Sequence, residues 1–168
     1  ASFIAHNYNT PIDVSNFETE ANEILAKCEE ELGWMYETTH IISKKAEVCA
    51  KGRINYTIWS DVFICPNCGN ELVFYDVAVD NITGDINTSF ECPHCKSKLS
   101  KRDCKHAVVN IHDKLLNKNI TMIKQMPVRI SYTYNGQRYE KKPDENDVRL
   151  LEKIDNMNNK YWIPTDRM

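Results

Sequence analysis

Four of the seven cysteines occur in two Cys-Pro-x-Cys pairs, which are separated by 23 residues. A tight turn of this kind presents two thiolates on one side, and two facing turns can form a tetrahedral sulfur site. Zn²⁺ suits such a site because it is redox-inert and imposes no geometry of its own. Since the four sulfurs would fill every coordination position, the spacing predicts a structural metal rather than a catalytic one. The predicted ligands are Cys65, Cys68, Cys92 and Cys95.

Two other chemistries fit the same cysteines. Two disulfides would need an oxidising compartment, but an odd cysteine count without a signal-peptide-like segment favours a reducing one, so we expect a cytoplasmic protein. Iron is the second alternative, because sulfur-only tetrahedral sites accept either metal and Cys65–Gly69 resembles a knuckle of rubredoxin. Zinc is favoured because Lys96 follows the second pair in place of a matching glycine. The other three cysteines are expected to be ordinary thiols: Cys28, Cys49 and Cys104.

The charge of the chain is distributed unevenly. The net charge is −3, yet residues 1–37 carry eight acidic residues and one lysine, whereas residues 96–142 carry twelve Lys or Arg and three acidic residues. A basic segment that begins at the second cysteine pair is a reasonable contact surface for a polyanion, although many such segments are only solvated faces. No apolar run reaches the length of about 18 residues that spans a membrane, so no membrane partner is expected.

The sequence contains none of the common catalytic motifs. A glycine-rich nucleotide loop, a P-loop, a Gly-x-Ser-x-Gly motif and an HExxH motif are all missing from the 168 residues. The five histidines show no metal-ligand pairing and are expected to be surface or packing residues. We therefore predict no catalytic residue and no cofactor-binding residue in this chain.

Hydrophobic patterns predict the elements that position the cysteines. Apolar residues at helical spacing predict a helix from Asp13 to Leu32, with a capping box at Ser15–Glu18 and Gly33 as its terminator. Alternation of Ile54, Tyr56 and Ile58 predicts a strand over residues 53–64 that runs into the first cysteine pair. Further predictions are a strand over residues 72–77, a turn over 81–85 and a short strand at 89–91.

Two more elements are predicted near the C-terminus. Asn135-Gly136 indicates a type I′ turn, because both positions of that turn need positive φ, and it predicts a hairpin from residues 128–134 and 137–139. A helix is predicted over residues 144–156, after Pro143. The predicted fold is α+β, with an N-terminal helix, a small antiparallel β-unit holding a four-cysteine zinc ribbon, a β-hairpin and a C-terminal helix. The predicted segments are residues 1–52, 53–106 and 107–168.

Several stretches of the chain resemble a known family. They are Ser2–Pro11, Gly33–Thr38, Ile54–Phe63, both cysteine pairs, Leu99–Asp103 and Trp162–Pro164. Together they resemble a central segment of bacterial DNA methylases of the N4-cytosine/N6-adenine type. The resemblance covers most of the chain and is densest from residue 53 to 103.

This resemblance implies a place within a larger protein. Members of the family carry a glycine-rich S-adenosylmethionine loop and an Asp-Pro-Pro-Tyr/Phe motif, and neither occurs in this chain, which begins at Ala1. The resemblance thus implies a target-recognition-like fragment, with S-adenosylmethionine bound only by the parent methyltransferase. What it carries over is the four-cysteine metal site. Cys104 stands where a large aliphatic residue is expected, which argues against its being a ligand.

The expected partners are double-stranded DNA and the remaining domains of the parent methylase. An enzyme that modifies a base extrudes it from the stack, so a separate element must hold the duplex and read the flanking sequence. The residues predicted to contact the DNA backbone are Lys96, Lys98, Lys101, Arg102 and Lys105. Two alternatives stay open: a zinc-stabilised protein-interaction module without DNA contact, and a rubredoxin-like iron redox protein.

Overall fold

The chain folds as two compact units, residues 1–37 and residues 38–168. A computed structural model describes residues 2–43, 48–80, 83–114 and 116–157. The first unit is helical, and the second combines antiparallel sheets with two helices. The predicted α+β class is therefore confirmed. No helix within the described residues has both the length and the hydrophobicity that a membrane-spanning segment needs.

The first unit contains α1 (Ser2–Asn9), α2 (Val14–Leu32) and a 3₁₀ turn (Gly33–Tyr36). The helix predicted from Asp13 is confirmed, but the predicted capping box is wrong. Asp13 is the N-cap, and its carboxylate accepts a hydrogen bond from the Asn16 N–H at 3.1 Å, whereas Ser15 already lies inside the first turn. Aspartate and serine side chains accept hydrogen bonds equally well from N–H groups at a helix start. Because Asp13 precedes Ser15 in the chain, the helix is capped two residues earlier than predicted. Gly33 ends α2 with a right-handed φ of −55°, so the chain continues directly into the 3₁₀ turn.

The main sheet of the second unit is built on one long strand. Its order is β1 (Glu37–Ser43), β2 (Val48–Ile64), β9 (Gln125–Tyr134) and β10 (Gln137–Lys141). The predicted boundary between residues 52 and 53 falls inside β2. The hairpin from β9 to β10 is confirmed, because Asn135 and Gly136 have φ values of 47° and 76° and Tyr134 pairs with Gln137.

The predicted alternation along β2 is wrong at Tyr56. The pairing of β2 with β9 shifts register between Ile54 and Tyr56 and again between Ile58 and Trp59. Such bulges insert an extra residue and change which face the following side chain occupies. Tyr56 is consequently exposed instead of lying on the buried face.

Gly52 allows an aromatic cluster to form across this sheet. A Cβ atom at Gly52 would lie 2.5 Å from Cδ2 of Tyr132, whose ring passes over the glycine. His40 from β1 reaches across the same gap, with Nδ1 3.0 Å from the Tyr132 hydroxyl and its ring stacked on Tyr134. The missing side chain thus lets β1 and β9 share one packed cluster although β2 lies between them.

The C-terminal end of β2 enters a second packing region. There β3 (Glu71–Val73) and β6 (Lys105–His106) pair with β2, and β4 (Ser89–Glu91) pairs with β5 (Lys98–Ser100). A 3₁₀ turn (Lys101–Asp103) separates β5 from β6. We call residues 65–104 the metal module. Its buried core consists of Cys65, Leu72, Ala78, Phe90, Cys92 and Leu99.

The strand predicted over residues 72–77 is wrong in its second half. The chain leaves β3 at Val73 and forms a short helix, α3 (Phe74–Ala78). The Ser60 hydroxyl accepts a hydrogen bond from the Tyr75 N–H at 2.9 Å, and Ala78 is fully buried. Periodicity alone does not separate a short apolar strand from a short buried helix, and tertiary packing selects the helix here. Of the predicted turn at 81–85, Asn81 and Ile82 lie outside the described residues, and Gly84 has a φ of 78°.

Two elements complete the second unit. A separate antiparallel pair joins β7 (Val108–Asp113) to β8 (Lys118–Ile123), which the sequence analysis did not predict. The predicted C-terminal helix is confirmed as α4 (Glu145–Asp155), with Asp144 as its N-cap. The stretch Trp162–Pro164 that contributes to the family resemblance lies outside the described residues.

Candidate metal centre

The two cysteine pairs form turns with the same backbone hydrogen bonds. In the first knuckle (Cys65–Asn70), the Cys65 N–H donates to the Asn70 carbonyl and the Gly69 N–H donates to the Cys65 carbonyl, both at 2.9 Å. The second knuckle (92–97) repeats both bonds at 2.9 Å, with Lys96 in the place of Gly69 and Ser97 in the place of Asn70. The end of β2 leads into the first knuckle, and the β4–β5 hairpin holds the second. The protein therefore presents two equivalent turns toward each other.

The four predicted ligands come together in the structure. All four Sγ atoms lie within 4.8 Å of one another, and the Cys65–Cys95 and Cys68–Cys92 Sγ pairs are each 3.8 Å apart. A tetrahedral ion with Zn–S bonds of about 2.3 Å has sulfur–sulfur edges of about 3.8 Å. A disulfide would need about 2.05 Å, so these cysteines are positioned for a metal ion and not for disulfide bonds. The predicted clustering is confirmed.

One half of the cluster belongs to the core and the other half reaches the surface. Cys65 and Cys92, the first cysteine of each pair, are buried, whereas Cys68 is half-buried and Cys95 is exposed. Leu72, Phe90 and Leu99 are buried in the same hydrophobic cluster as the first cysteines. An ion held here would join β2 to the β4–β5 hairpin at a point where the apolar core is small.

Thiol acidity also differs between Cys65 and the two second cysteines, Cys68 and Cys95. Burial raises the pKa of Cys65 to about 11. Hydrogen bonds from the Asn70 backbone and side chain lower the pKa of Cys68. The hydroxyl and the backbone N–H of Ser97 lower the pKa of Cys95 to about 6, with Ser97 Oγ 3.1 Å from Cys95 Sγ. Since metals bind thiolates, Cys68 and Cys95 each give their knuckle a sulfur that ionises readily, whereas ionisation of Cys65 depends on the bound ion.

Lys96 adopts the conformation that Gly69 adopts in the first knuckle. Their φ values are 59° and 73°. The left-handed region costs a residue with a Cβ about 1–2 kcal/mol, so the second turn forms at an energetic cost that its hydrogen bonds and a bound ion must offset. The absence of a glycine after the second pair therefore does not distinguish zinc from iron, because the backbone turn is the same in both knuckles.

We expect Lys96→Gly to stabilise the metal-loaded chain by about 1 kcal/mol, because glycine reaches this φ without the Cβ penalty. Urea denaturation measures the change. Lys96→Ala is the charge control and should give no gain, since alanine keeps the strain. Gly69→Ala should lower the stability by a similar amount. A Cβ at Gly69 meets no atom within 4 Å, so the loss would come from the positive φ and not from a clash. Equal stability of the Lys96→Gly and Lys96→Ala variants would contradict this account.

The remaining cysteines do not join the cluster. Cys104 is half-buried and packs against the core of the metal module, and burial raises the pKa of its thiol. Cys28 and Cys49 are exposed thiols. In the described part of the chain, the four-cysteine group is the set of side chains assembled as metal ligands.

The predicted DNA-contact residues lie in the second knuckle and on the segment directly after it. Lys96 lies in that knuckle, Lys98 on β5, and Lys105 on β6. Lys101 and Arg102 occupy the 3₁₀ turn, in which Asp103 accepts hydrogen bonds from the backbone and the hydroxyl of Ser100. All five basic residues are exposed: Lys96, Lys98, Lys101, Arg102 and Lys105.

Two of these residues have further contacts that the sequence did not indicate. The Lys101 ammonium lies 4.8 Å from the centre of the Phe74 ring and 5.8 Å from that of Phe63, which are cation–π distances. Lys101 thus helps to cover the aromatic core. Lys105 lines a cavity of about 380 Å³ together with Cys65, Pro66 and Gly69 of the first knuckle. Asp103 lines the same cavity, so an acidic and a basic side chain lie beside the first knuckle.

Comparisons with protein-family models, with curated proteins and with solved structures give no match for this chain.

Proposed function

We propose that this chain is a non-catalytic DNA-recognition segment of a DNA methyltransferase, and that one structural zinc ion stabilises it. The observation that carries the proposal is the four-sulfur centre with exposed basic residues on the segment directly after it. Four protein sulfurs leave no coordination position for water or substrate, so the ion serves folding and not catalysis. Zinc is the natural ion for this role because it has no redox chemistry.

The distribution of charge supports a duplex partner. Residues 96–142 contain twelve Lys or Arg and three acidic residues. Lys124, Arg129 and Lys141 form ion pairs within the chain, whereas Lys98, Arg102 and Lys105 are exposed. Lysine and arginine side chains bind phosphates and fix the register of a protein on DNA, whereas base edges supply the sequence information. The metal module would hold Lys98 and Arg102 on a fixed backbone, and the pairing of β6 with β2 would hold Lys105, which lowers the entropy lost when these cations contact phosphates.

The proposed context is the resemblance to N4-cytosine/N6-adenine methylases. In that context the parent enzyme binds S-adenosylmethionine and carries out methyl transfer, and the other domains of the parent are the protein partners. This chain would supply contacts to the duplex around the target base.

Salt-dependent binding to duplex DNA tests the proposal. With four or five phosphates neutralised, log K should fall against log salt with a slope of about −4, and the nonspecific Kd should be ~10⁻⁴–10⁻⁶ M at physiological salt. Arg102→Ala/Lys105→Ala should flatten the slope by up to about two units without loss of the metal. Lys101 stays unchanged in this variant because it packs on Phe74. Lys27→Ala/Lys153→Ala removes the same charge elsewhere and should leave the slope unchanged.

Absence of duplex binding at low salt, or a slope that both double variants leave unchanged, would refute the DNA contact.

A second function, docking to another protein domain, is favoured by the exposed apolar residues of α2. None of its 19 described residues is buried, and Phe17, Ile24 and Leu25 are each at least 59% exposed. An exposed apolar stripe on an acidic helix suits docking to another protein domain, here the rest of the parent protein.

A further inference from the structure

The β7–β8 pair forms a two-stranded ribbon with a fixed root. Its two strands pair only with each other in the described part of the chain, from Val108↔Ile123 to Asp113↔Lys118. At the root, the Ala107 N–H donates to the Val62 carbonyl, the Lys124 N–H donates to the Ala107 carbonyl, and the Val62 N–H donates to the Lys124 carbonyl, all within 2.9 Å. Val62 and Ala107 are buried. The ribbon therefore projects from a rigid base at the end of β2, next to Lys105.

One face of the ribbon carries hydrogen-bonding side chains held in fixed positions. Asn110 pairs with Thr121, whose hydroxyl donates to Asn110 Oδ1 at 2.6 Å. His112 pairs with Asn119, and His112 Nδ1 lies 2.9 Å from Asn119 Oδ1. All four side chains are exposed. Since opposite residues of an antiparallel pair share a face, these four groups form a polar strip toward the tip of the ribbon, and the exposed Val108–Ile123 pair lies on the same face at the root.

The other face of the ribbon is different in character. Val109 pairs with Met122 and Ile111 with Ile120, which places aliphatic and thioether side chains there. Asp113, the one acidic residue between Lys105 and Lys124, lies on this second face, and its carboxylate accepts a hydrogen bond from the Leu116 N–H at 3.0 Å. The ribbon's carboxylate thus lies on the face opposite the polar strip.

The dimensions and chemistry of the strip fit a base-reading role. The major groove of B-DNA, about 12 Å wide, admits a two-stranded β-ribbon, and strands of about six residues extend for about 20 Å. An asparagine amide pairs with adenine by donating to N7 and accepting from the N6 amino group. Both asparagine oxygens already take part in one cross-strand contact, yet each keeps a second lone pair and its N–H₂ group.

Charge completes the match to a duplex. Lys105 precedes the ribbon at its root and Lys114 lies in the turn at its tip, and both are exposed, whereas Lys118 pairs with Asp113 on the opposite face. Lys124 is already paired with Glu71 at 2.6 Å and is not counted here. Cations at both ends of a strip of neutral donors and acceptors favour phosphates at the groove edges and bases between them.

We propose that the β7–β8 ribbon enters the major groove of duplex DNA and reads base edges with Asn110, His112, Asn119 and Thr121. The inference rests on the proposed DNA-recognition function and adds the element that supplies its sequence preference. The basic residues after the second knuckle hold phosphates, and the ribbon selects the sequence.

The test uses the whole metal-loaded chain and a pool of duplexes with a randomised central sequence, selected at low salt. The wild-type chain should enrich a defined subset of duplexes. Asn110→Ala/Asn119→Ala should bind an enriched duplex about tenfold more weakly or worse, while its affinity for an unselected duplex and its salt slope stay the same. Ile111→Thr/Met122→Thr alters the opposite face of the ribbon and should keep the wild-type preference.

A conservative variant distinguishes loss of a base contact from unfolding of the ribbon. Asn110→Asp keeps the side-chain size and can still accept from the Thr121 hydroxyl, but it removes both N–H donors. It should change the base preferred at one position, because a carboxylate accepts from the cytosine amino group.

The possible results distinguish failure of the ribbon proposal from failure of the proposed DNA-recognition function. Duplex binding without any sequence preference, or a preference that neither asparagine variant changes, overturns the ribbon assignment and leaves DNA binding in place. Loss of preference in the opposite-face variant alone would assign the contact to a different face of the ribbon and overturn the proposal as well. Absence of all duplex binding removes both proposals.

Discussion

The Cys65→Ser chain should retain no metal and should lose the folded metal module. The hydroxyl of serine is a poor substitute for a thiolate, and the Cys65 sulfur lies 3.8 Å from that of Cys95 in a buried position. Structural zinc contributes an apparent binding free energy of about 10–16 kcal/mol in zinc-finger peptides. That is comparable to the whole stability of a typical domain, about 5–15 kcal/mol, so we expect the module to unfold without its metal. Cys92→Ser should behave in the same way.

Elemental analysis and near-ultraviolet circular dichroism measure the two effects. The wild-type chain should contain one equivalent of zinc and be colourless, and a strong chelator should reproduce the spectrum of the variants. Cys104→Ser is the matched control, because Cys104 packs against the same core without joining the four sulfurs. It should keep the zinc. Zinc retained by both ligand variants would refute the assigned site, and iron with visible charge-transfer absorption would instead support the rubredoxin-like alternative.

The features that sequence predicts well here are those fixed by local chemistry. The cysteine spacing predicts the cluster because two short turns need only face each other. Asn135-Gly136 predicts its hairpin because few residues tolerate two positive φ angles in succession. The amphipathic stretches predict α2 and α4 to within one residue at each end, since helical spacing repeats over many residues.

The features that sequence does not predict depend on distant contacts. The short helix α3 replaces half of a predicted strand because Ser60, fifteen residues away, accepts from the Tyr75 N–H. Bulges in β2 move Tyr56 to the other face, and no local signal announces a bulge. Lys96 takes a glycine-like φ because the surrounding knuckle imposes it.

The β7–β8 ribbon differs from these features, because the local sequence does contain a pattern that indicates a hairpin. Val109, Asn110, Ile111 and His112 alternate between apolar and polar residues, and Asn117 has the positive φ of 49° that asparagine tolerates in turns. Read as strand, turn and strand, this pattern gives the ribbon and its polar face. The sequence cannot give the cross-strand hydrogen bonds that fix the side chains of that face.

A second large effect is expected from the ion cluster that holds α4 against the main sheet. The Lys141 ammonium of β10 lies 2.8 Å from the Asp147 carboxylate and 2.7 Å from that of Asp144. The Thr38 hydroxyl of β1 also donates to Asp147. The side chains of Asp147 and Lys141 are only 5% and 16% exposed. One buried carboxylate thus joins β1, β10 and the start of α4.

Lys141→Met should lower the free energy of unfolding by about 3–5 kcal/mol, because methionine fills similar space but leaves the Asp147 carboxylate buried without its cation. Urea denaturation of the metal-loaded chain gives the value. Lys142→Met is the matched control at the neighbouring position, where the side chain is 78% exposed and its ammonium lies 3.6 Å from the Asp76 carboxylate. Exposed ion pairs contribute about 0–1 kcal/mol, so this variant should remain close to the wild-type chain.

The dependence of this loss on pH distinguishes lost charge from lost packing. Burial alone would raise the pKa of Asp144, but the hydrogen bond and charge of Lys141 and the backbone N–H groups of Asn146 and Asp147 together outweigh burial, so the pKa is lowered. A carboxyl group whose pKa is lowered by folding stabilises the protein above its unfolded pKa, and that stability is lost as the pH falls through the folded pKa. In Lys141→Met the Asp144 carboxylate lacks this cation, so the part of the stability gap that comes from the Lys141–Asp144 pair should narrow as the pH falls through the acidic range. A gap that stays constant with pH would mean that Lys141 acts through packing and not through its charge.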